Sequence, residues 1–398
     1  MMATKAGAKP PSDAFWLSEQ ACKLDDFIRI VSRHTELADY PLAAAVQSNI
    51  LIYDCDAVRG LSSSAASLRA LQAEWGDALM NGPGLVVLKR AVSDLDTMEE
   101  VNSVFRTLIT EQHASGRAGG DHFAKPGAND RIWNAQQKLC LRAPSAFARY
   151  YGNPIFALIC QAWLGPAYQM TSQVNVVNPG GAAQSPHRDY HLGFQPTSAC
   201  ASYPAHVHQM SAALTLQGAV AHCDMPLATG PTLYLPYSQN YKAGFLAYHQ
   251  PGFRDYFERH HVQLPLSMGD AVFFNPALFH AAGHNRSPDV RRIANLLQVS
   301  SPFGRAMETL DRKLMSKTLY AALQMLRTQG NFSDGEMRNA IAACAEGYAF
   351  PSNLDRDQPI DGMAPQTQQQ IMLQALEQQW PESRFIAALE SKAWQQQT

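Results

Sequence analysis

The segment around His187 contains a His-x-Asp pattern, formed by His187 and Asp189. On an extended strand, residues two apart project to the same face. An imidazole nitrogen and a carboxylate oxygen can therefore reach one metal ion, with a third ligand coming from elsewhere in the chain. Two histidines and one carboxylate on one side of a metal leave further positions open, which is typical of non-haem Fe(II) oxygenases. The pattern alone is short and often arises by chance.

A second segment supplies the parts that the first one lacks. Residues 269–280 predict a short strand that ends at His280, and a turn containing Gly283 follows. His280 can complete the metal triad. Arg291 and Arg292 open the next predicted strand, and an arginine there can bind a carboxylate through two parallel hydrogen bonds, which a lysine cannot reproduce. Because strand alternation sends these two arginines to opposite faces, either one can be the residue that faces the site.

Together these motifs resemble the phytanoyl-CoA dioxygenase family. The resemblance rests on the His-x-Asp, on the pattern G-D-x-V-F-F-x-P-x-L-x-H-x-x-G-x-N-x-S at residues 269–287, and on the arginine that follows. It extends over residues 66–303. Three further stretches are similar to the family, namely residues 84–88, 164–168 and 229–236.

The resemblance implies a mainly β core with flanking helices, folded as a double-stranded β-helix of the jelly-roll or cupin-like kind. It also implies Fe(II), the cosubstrate 2-oxoglutarate and O2, with succinate and CO2 released as the substrate is oxidised. By position, His187, Asp189 and His280 carry over as iron ligands, and Arg291 as the partner of the distal carboxylate of 2-oxoglutarate. Arg292 remains the alternative to Arg291.

The implied function is that of a 2-oxoglutarate-dependent dioxygenase that hydroxylates a small organic substrate. The presence of Asp189 favours hydroxylation over halogenation, because related halogenases replace this carboxylate with a small residue. A cupin-like hydrolase or isomerase, and a non-catalytic relative that binds a small molecule, are the alternatives. The hydrolase or isomerase would not need Arg291, and the full ligand set together with a suitably placed arginine argues against the non-catalytic relative.

Several polar residues are candidates for contacts with the cosubstrate or the substrate. Gln173 and Asn175 share one face of the strand predicted before the His-x-Asp, and they can hydrogen-bond 2-oxoglutarate, as can Thr232. Polar residues on an exposed sheet face would give the same pattern. The stretch at residues 114–130 predicts either a lid or a solvated loop. The candidates for substrate contact in or just after it are Lys125, Arg131 and Trp133.

Other histidines compete for the role of ligand. His284 lies four residues after His280 but beyond the glycine turn, which favours a supporting role. His191 shares a strand face with His187, but three adjacent ligands would crowd one ion. The pairs that lack a neighbouring carboxylate are His206 with His208 and His260 with His261.

Composition limits the remaining function classes. The 398-residue chain has a net charge of -2, so no basic excess attracts nucleic acid. Its longest apolar stretches, such as residues 154–163, fall short of the roughly 18 residues that a membrane span needs. Seven scattered cysteines without a CxxC pair predict reduced thiols in a cytoplasmic protein. The expected partner is a small-molecule substrate, without nucleic acid or membrane.

The elements that must position these residues divide the chain into three parts. Residues 1–65 predict a helical N-terminal extension, residues 66–305 the oxygenase domain, and residues 306–398 a C-terminal helical extension that packs on the core. Helices are predicted at residues 67–79, 94–110, 144–164, 310–326, 333–345 and 367–376. Strands are predicted at residues 85–88, 170–177, 210–220, 232–235, 262–266, 271–275 and 292–299.

Overall fold

The computed structural model of the protein describes residues 15–61, 64–116, 127–349, 353–360 and 362–397. The strands within these ranges are β1 Ala45–Gln47, β2 Ile50–Asp54, β3 Leu85–Lys89, β4 Asn129–Ile132, β5 Gln169–Val177, β6 Thr215–Ala221, β7 Leu233–Leu235, β8 Ala271–Phe274, β9 Phe279–Ala281 and β10 Arg292–Ser300. The helices are α1 Leu24–Val31, α2 Cys55–Gly60, α3 Ala65–Met80, α4 Leu95–Ala114, α5 Ala135–Arg142, α6 Pro144–Tyr151, α7 Pro154–Leu164, α8 Thr197–Ala201, α9 Ala205–Ala213, α10 Gly244–Ala247, α11 Pro251–His260, α12 Arg312–Gln329, α13 Asp334–Cys344, α14 Gln368–Glu377 and α15 Glu382–Gln395.

Eight of the strands form one sheet, in the order β1-β2-β3-β8-β6-β10-β5-β4, while β7 and β9 form a second sheet of two strands. β2 and β3 run parallel, and the other paired strands run antiparallel. Helices cover one face of the large sheet, and the small sheet lies across a cavity from its other face. The predicted double-stranded β-helix with flanking helices is thereby confirmed.

The sequence of β5 shows how one strand serves both faces of the large sheet. Val174 and Val176 are buried in the core shared with the helices, whereas Gln173 and Asn175, which alternate with them, line the cavity. Successive side chains of a strand point to opposite faces, so alternating apolar and polar residues divide between core and cavity.

The C-terminal part of the chain is attached to the core by hydrogen bonds as well as by apolar packing. Gln136 of α5 donates to the carbonyl of Ala343 in α13 at 2.6 Å. Arg312, the first residue of α12, donates to the carbonyl of Met170 in β5 at 3.1 Å. Residues after 306 therefore support the strand that carries part of the cavity wall.

The N-terminal part contains two strands where the sequence predicted helices. β1 and β2 extend the large sheet beyond β3, with Leu51 paired with Val86, and Leu51 is fully buried. The expectation that residues 1–65 are mainly helical is therefore wrong for residues 45–54. A short strand of five residues gives only a weak periodic signal, and its pairing with β3 decides its structure.

Three further predictions differ from the structure. The strand predicted at residues 210–220 is helix α9 up to Ala213, because the Ala-rich sequence after Pro204 favours a helix start. The single helix predicted at residues 144–164 divides before Pro154, which cannot continue a helix hydrogen-bond ladder. Residues 262–266 form isolated bridges rather than a strand.

Candidate metal centre

His187, Asp189 and His280 come together beside the small sheet. The backbone N–H of His187 donates to the carbonyl of His280 at 3.0 Å, and the reverse bond measures 3.2 Å. Nε2 of His280 lies 3.4 Å from Oδ2 of Asp189, and Nε2 of His187 lies 3.7 Å from Oδ1. Ligands about 2.1 Å from a metal at right angles lie about 3 Å apart, so these atoms are close to the spacing of a metal site.

The hydrogen bonds of the two imidazoles fix which nitrogen faces the centre. Nδ1 of His187 lies 2.9 Å from the carbonyl oxygen of Ser185, and Nδ1 of His280 lies 2.8 Å from that of Leu278. Because a carbonyl only accepts, each Nδ1 donates its proton there, which turns each Nε2 toward the centre. This orientation is the one that metal-binding histidines require.

Asp189 supplies the anionic ligand. Burial alone would raise the pKa of its carboxyl group, but the imidazoles of His187 and His280 and the amide of Gln217 act in the opposite direction. The net effect is a pKa below the usual range for aspartate. The carboxyl group is therefore ionised at neutral pH, as a metal ligand must be.

Arg188, between the two ligands of the His-x-Asp, anchors this segment from the opposite side. It is fully buried and donates to the carbonyls of Ser238 at 2.6 Å and Tyr241 at 3.0 Å. Its guanidinium lies over the ring of Phe245, and burial lowers its pKa to about 9. Gly244 leaves the space that the guanidinium occupies, since a Cβ there would lie 1.9 Å from Cζ of Arg188.

The cavity next to the triad has two chemically different walls. Its apolar wall comes from strands β2, β3 and β8 and from the segment before β8. The members of this apolar wall are Ile50, Val87, Leu264, Leu266, Val272 and Phe274. Its polar wall comes from β4, β5, β6 and β10. The members of this polar wall are Arg131, Gln173, Asn175, Gln217 and Gln298.

The polar candidates from the sequence meet at this cavity. Gln173, Asn175 and Thr232 all line it, as do Arg131 and Trp133 from the segment after the predicted loop. Arg131 also donates to Oε1 of Gln173 and lies over the ring of Trp133. Lys125, the other residue predicted in this group, lies outside the described residues.

The side chains of the two arginines at the start of β10 point to opposite faces of the sheet. The expectation that Arg291 faces the cavity is wrong. Arg291 points outward, with 56% of its side chain exposed, and pairs with Asp130 at 3.0 Å. Arg292 is buried and lines the cavity beside Thr232 and Tyr234. The phase of β10 is the reason, because the cavity face takes alternate residues starting with Arg292.

Arg292 has no carboxylate partner among the described residues. Its Nη1 donates a long hydrogen bond, 3.4 Å, to the carbonyl of Thr229. Burial lowers its pKa to about 10, which leaves the guanidinium charged at neutral pH. A buried cation is costly unless an anion neutralises it, so this end of the cavity fits a ligand carboxylate.

The competing histidines do not belong to the ligand cluster that the described residues form. Nδ1 of His191 lies 3.1 Å from the hydroxyl of Ser211, which makes it a hydrogen-bonded structural residue. His284 follows β9 and does not line the cavity. Nε2 of His208 lies 3.0 Å from the carbonyl oxygen of Cys200, away from the triad.

Three residues that the sequence analysis did not identify also contact the triad or its neighbours. The Nε2 of Gln217 donates to Oδ2 of Asp189. The hydroxyl of Tyr190 donates to Oε1 of Gln298 at 2.5 Å. The sequence signal was weak, because each of the two strands contains a single glutamine among mostly apolar residues and the register of the strands is not visible before folding.

The sequence was compared with protein families and with curated proteins. The profile of the family described as phytanoyl-CoA dioxygenase (PhyH) matches residues 62–293, a span that contains the whole triad. No curated protein matched the chain.

Three solved structures are similar to part of this chain at low sequence identity. The epimerase SnoN, in complex with Fe3+, alpha ketoglutarate and nogalamycin RO, is 18% identical over 60% of this chain and 84% of its own, with a TM-score of 0.40. AviO1 from Streptomyces viridochromogenes Tue57 is 16% identical over 59% of this chain and 97% of its own, with a TM-score of 0.42. The non-heme alpha ketoglutarate dependent carbocyclase SnoK from nogalamycin biosynthesis is 19% identical over 64% and 90%, with a TM-score of 0.41.

Proposed function

Since the chain belongs to the phytanoyl-CoA dioxygenase family, we propose that it is an Fe(II)- and 2-oxoglutarate-dependent oxygenase that hydroxylates a small organic substrate. The reaction balances when one O2 and one 2-oxoglutarate convert a substrate C–H into C–OH and yield succinate and CO2. The triad of His187, Asp189 and His280 beside the buried Arg292 is the observation that carries this proposal.

The triad fits Fe(II) because its donor atoms are two imidazole nitrogens and one carboxylate oxygen. Nε2 of His187, Nε2 of His280 and an oxygen of Asp189 would hold the ion. Three protein ligands leave room at the metal for a cosubstrate and for O2. When bound, iron and 2-oxoglutarate supply the oxidising chemistry, and the protein supplies binding and orientation.

Arg292 would hold the distal carboxylate of 2-oxoglutarate. Its guanidinium offers two parallel donors to a carboxylate, and Thr232 and Tyr234 line the same part of the cavity. The apolar wall next to them excludes water and strengthens the ion pair.

The polar wall is the surface that remains for the substrate. Gln173 and Asn175 line it, and Oδ1 of Asn175 is buried with no hydrogen-bond partner among the described residues. Phe194 and Trp133 line the same cavity and are 52% and 38% exposed, which places aromatic rings at its open side. This combination supports a small substrate that has a hydrogen-bond donor and an apolar portion.

Hydroxylation is the outcome that the ligand set favours over halogenation. A carboxylate at Asp189 occupies the position where a halide would bind in related halogenases. Two of the similar structures are described as an epimerase and a carbocyclase, so identification of the product decides among oxidative outcomes.

The state of the cysteines supports the part of this proposal that concerns the compartment. All seven are free thiols, and five of them are buried. Reduced cysteines are typical of a reducing compartment, which supports a cytoplasmic location. Among the described residues, no helix combines the length and apolarity needed to span a bilayer.

An anaerobic titration of purified protein with Fe(II) and 2-oxoglutarate tests the proposal. We expect a weak visible charge-transfer band that disappears in His187→Ala and persists in the matched control His284→Ala. With a substrate, succinate should form and the product should gain one oxygen atom. Folded, iron-loaded wild-type protein that gives no band would refute the oxygenase assignment.

A further inference from the structure

Two glutamines face each other across the strands that form the floor of the cavity. Gln217 of β6 and Gln298 of β10 are register partners, and both side chains are buried and line the cavity. Each one binds a residue of the His-x-Asp segment. Gln217 donates to the carboxylate of Asp189, and Gln298 accepts from the hydroxyl of Tyr190. Two consecutive residues are thus held by two adjacent strands.

The carboxylate of Asp189 determines how the Gln217 amide is oriented. An ionised carboxylate only accepts hydrogen bonds, so the amide must present its Nε2 to Oδ2. The other amide atom, Oε1, then has no hydrogen-bond partner among the described residues. This hydrogen bond limits the rotation of the carboxylate beside the two histidines.

The backbone immediately after Asp189 has a strained conformation that requires contacts to hold it. Tyr190 has a φ of 64° and a ψ of 151°, a conformation that is essentially restricted to glycine. His191 follows with a φ of 39°. A residue persists in such a conformation only where its surroundings determine it, and the hydrogen bond from Tyr190 to Gln298 is one such contact.

We propose that Gln217 and Gln298 are positioning residues that act as one unit to preform the metal site. Gln217 holds the carboxylate of Asp189, and Gln298 holds the strained turn at Tyr190 that aims this carboxylate at the two histidines. The inference rests on the proposed function in so far as the triad binds a metal. Residues that hydrogen-bond a ligating carboxylate contribute to metal affinity although they never touch the metal.

The test measures metal affinity directly, with Co(II) alone as the probe and without turnover. Gln217→Leu removes the amide at similar size, and Gln173→Leu is the matched control, because Gln173 lies on the same sheet face but binds Arg131 rather than Asp189. We expect Gln217→Leu to weaken Co(II) binding about 10- to 100-fold and to alter the cobalt d–d spectrum. Gln173→Leu should retain the affinity and the spectrum.

Tyr190→Phe tests whether the two glutamines act together. It removes the hydroxyl that binds Gln298, and we expect a smaller loss of Co(II) affinity in the same direction. In the double variant with Gln217→Leu, the combined loss should be less than the product of the two separate losses. Multiplicative losses would overturn the claim that they form one unit.

Folding and the proposed function are checked in the same experiment. Thermal unfolding of the metal-free variants shows whether each is folded, and Gln217→Met replaces Gln217→Leu if the branched side chain is not tolerated. Wild-type affinity and spectrum in folded Gln217 variants would overturn the positioning role. Wild-type protein that binds Co(II) but gives no 2-oxoglutarate-dependent band with Fe(II) would refute the oxygenase proposal alone.

Discussion

Replacement of Arg292 should strongly weaken the binding of 2-oxoglutarate, whereas replacement of Arg291 should leave that binding unchanged. The two residues are adjacent in sequence, and both are arginines, so each is the control for the other. Arg292 lines the cavity with its guanidinium buried. Arg291 is exposed and pairs with Asp130 and Asn178 at the surface.

The expected magnitude follows from the burial of Arg292. Truncating one member of a buried, hydrogen-bonded charge pair costs about 2–5 kcal/mol. At about 1.4 kcal/mol for each factor of ten, the apparent affinity for 2-oxoglutarate should fall by about 30-fold to several thousand-fold in Arg292→Met. Arg292→Lys keeps the charge but loses the two-pronged geometry, so its loss should be intermediate.

Arg291→Met should have a different and smaller effect. It removes a surface ion pair with Asp130, and such pairs contribute about 0–1 kcal/mol to stability. Its affinity for 2-oxoglutarate should equal that of the wild type.

The assay is an anaerobic titration of each iron-loaded variant with 2-oxoglutarate, in which the charge-transfer band reports binding. Circular dichroism confirms that each variant is folded. A large loss of affinity in Arg291→Met with wild-type affinity in Arg292→Met would refute the phase of β10 on which this reasoning depends. If both variants bind 2-oxoglutarate as tightly as the wild type, neither arginine holds the cosubstrate.

Two further predictions concern stability. Gly244→Ala should destabilise the protein by about 1–3 kcal/mol, because the added Cβ would overlap the guanidinium of Arg188, which its hydrogen bonds hold in place. The control is Gly335→Ala, whose Cβ would lie 3.8 Å from the nearest atom, and it should not lower the thermal unfolding temperature. Unaltered stability of Gly244→Ala would contradict the account of Arg188 as a fixed anchor. Burial lowers the pKa of His222 to about 3, so the unfolded chain binds a proton that the folded state excludes between about pH 6.5 and pH 3. This residue should therefore lower the free energy of unfolding by about 1.4 kcal/mol for each pH unit between about 6.5 and 3. Urea unfolding at several pH values should show a shallower decline of that free energy in His222→Gln than in the wild type. The same decline in both proteins would rule out this contribution.

The triad could be predicted from the sequence because its information is local. His187 and Asp189 are two residues apart, and His280 ends a strand with a recognisable turn after it. The choice between Arg291 and Arg292 could not be made in the same way. Both open the same strand, and only the pairing of β10 with its neighbours sets which face turns toward the cavity.

The residues that support the triad were missed because their contacts are entirely non-local. Gln217 and Gln298 lie in strands far apart in sequence, and nothing in either strand shows that they become register partners. β2 was missed for a related reason, since its structure depends on pairing with β3. The pairing of strands in the folded protein determines the structure of β2 and the register of β6 with β10. The periodicity of a single sequence does not show which strands pair.

The order of strands in the large sheet has a consequence for how the chain folds as it is synthesised. β1, β2 and β3 can pair early, and so can β4 with β5, because these partners are close in sequence. The three central strands that join the two groups are β6, β8 and β10, and β6 finds its neighbours only after β8 and β10 have been made. β3 presents an open edge until β8 has been made, and β5 presents one until β10 has been made. Such open edges are where strands of different chains associate. We therefore expect slow folding dominated by distant contacts, and aggregation rather than a smaller active enzyme when synthesis stops before β10.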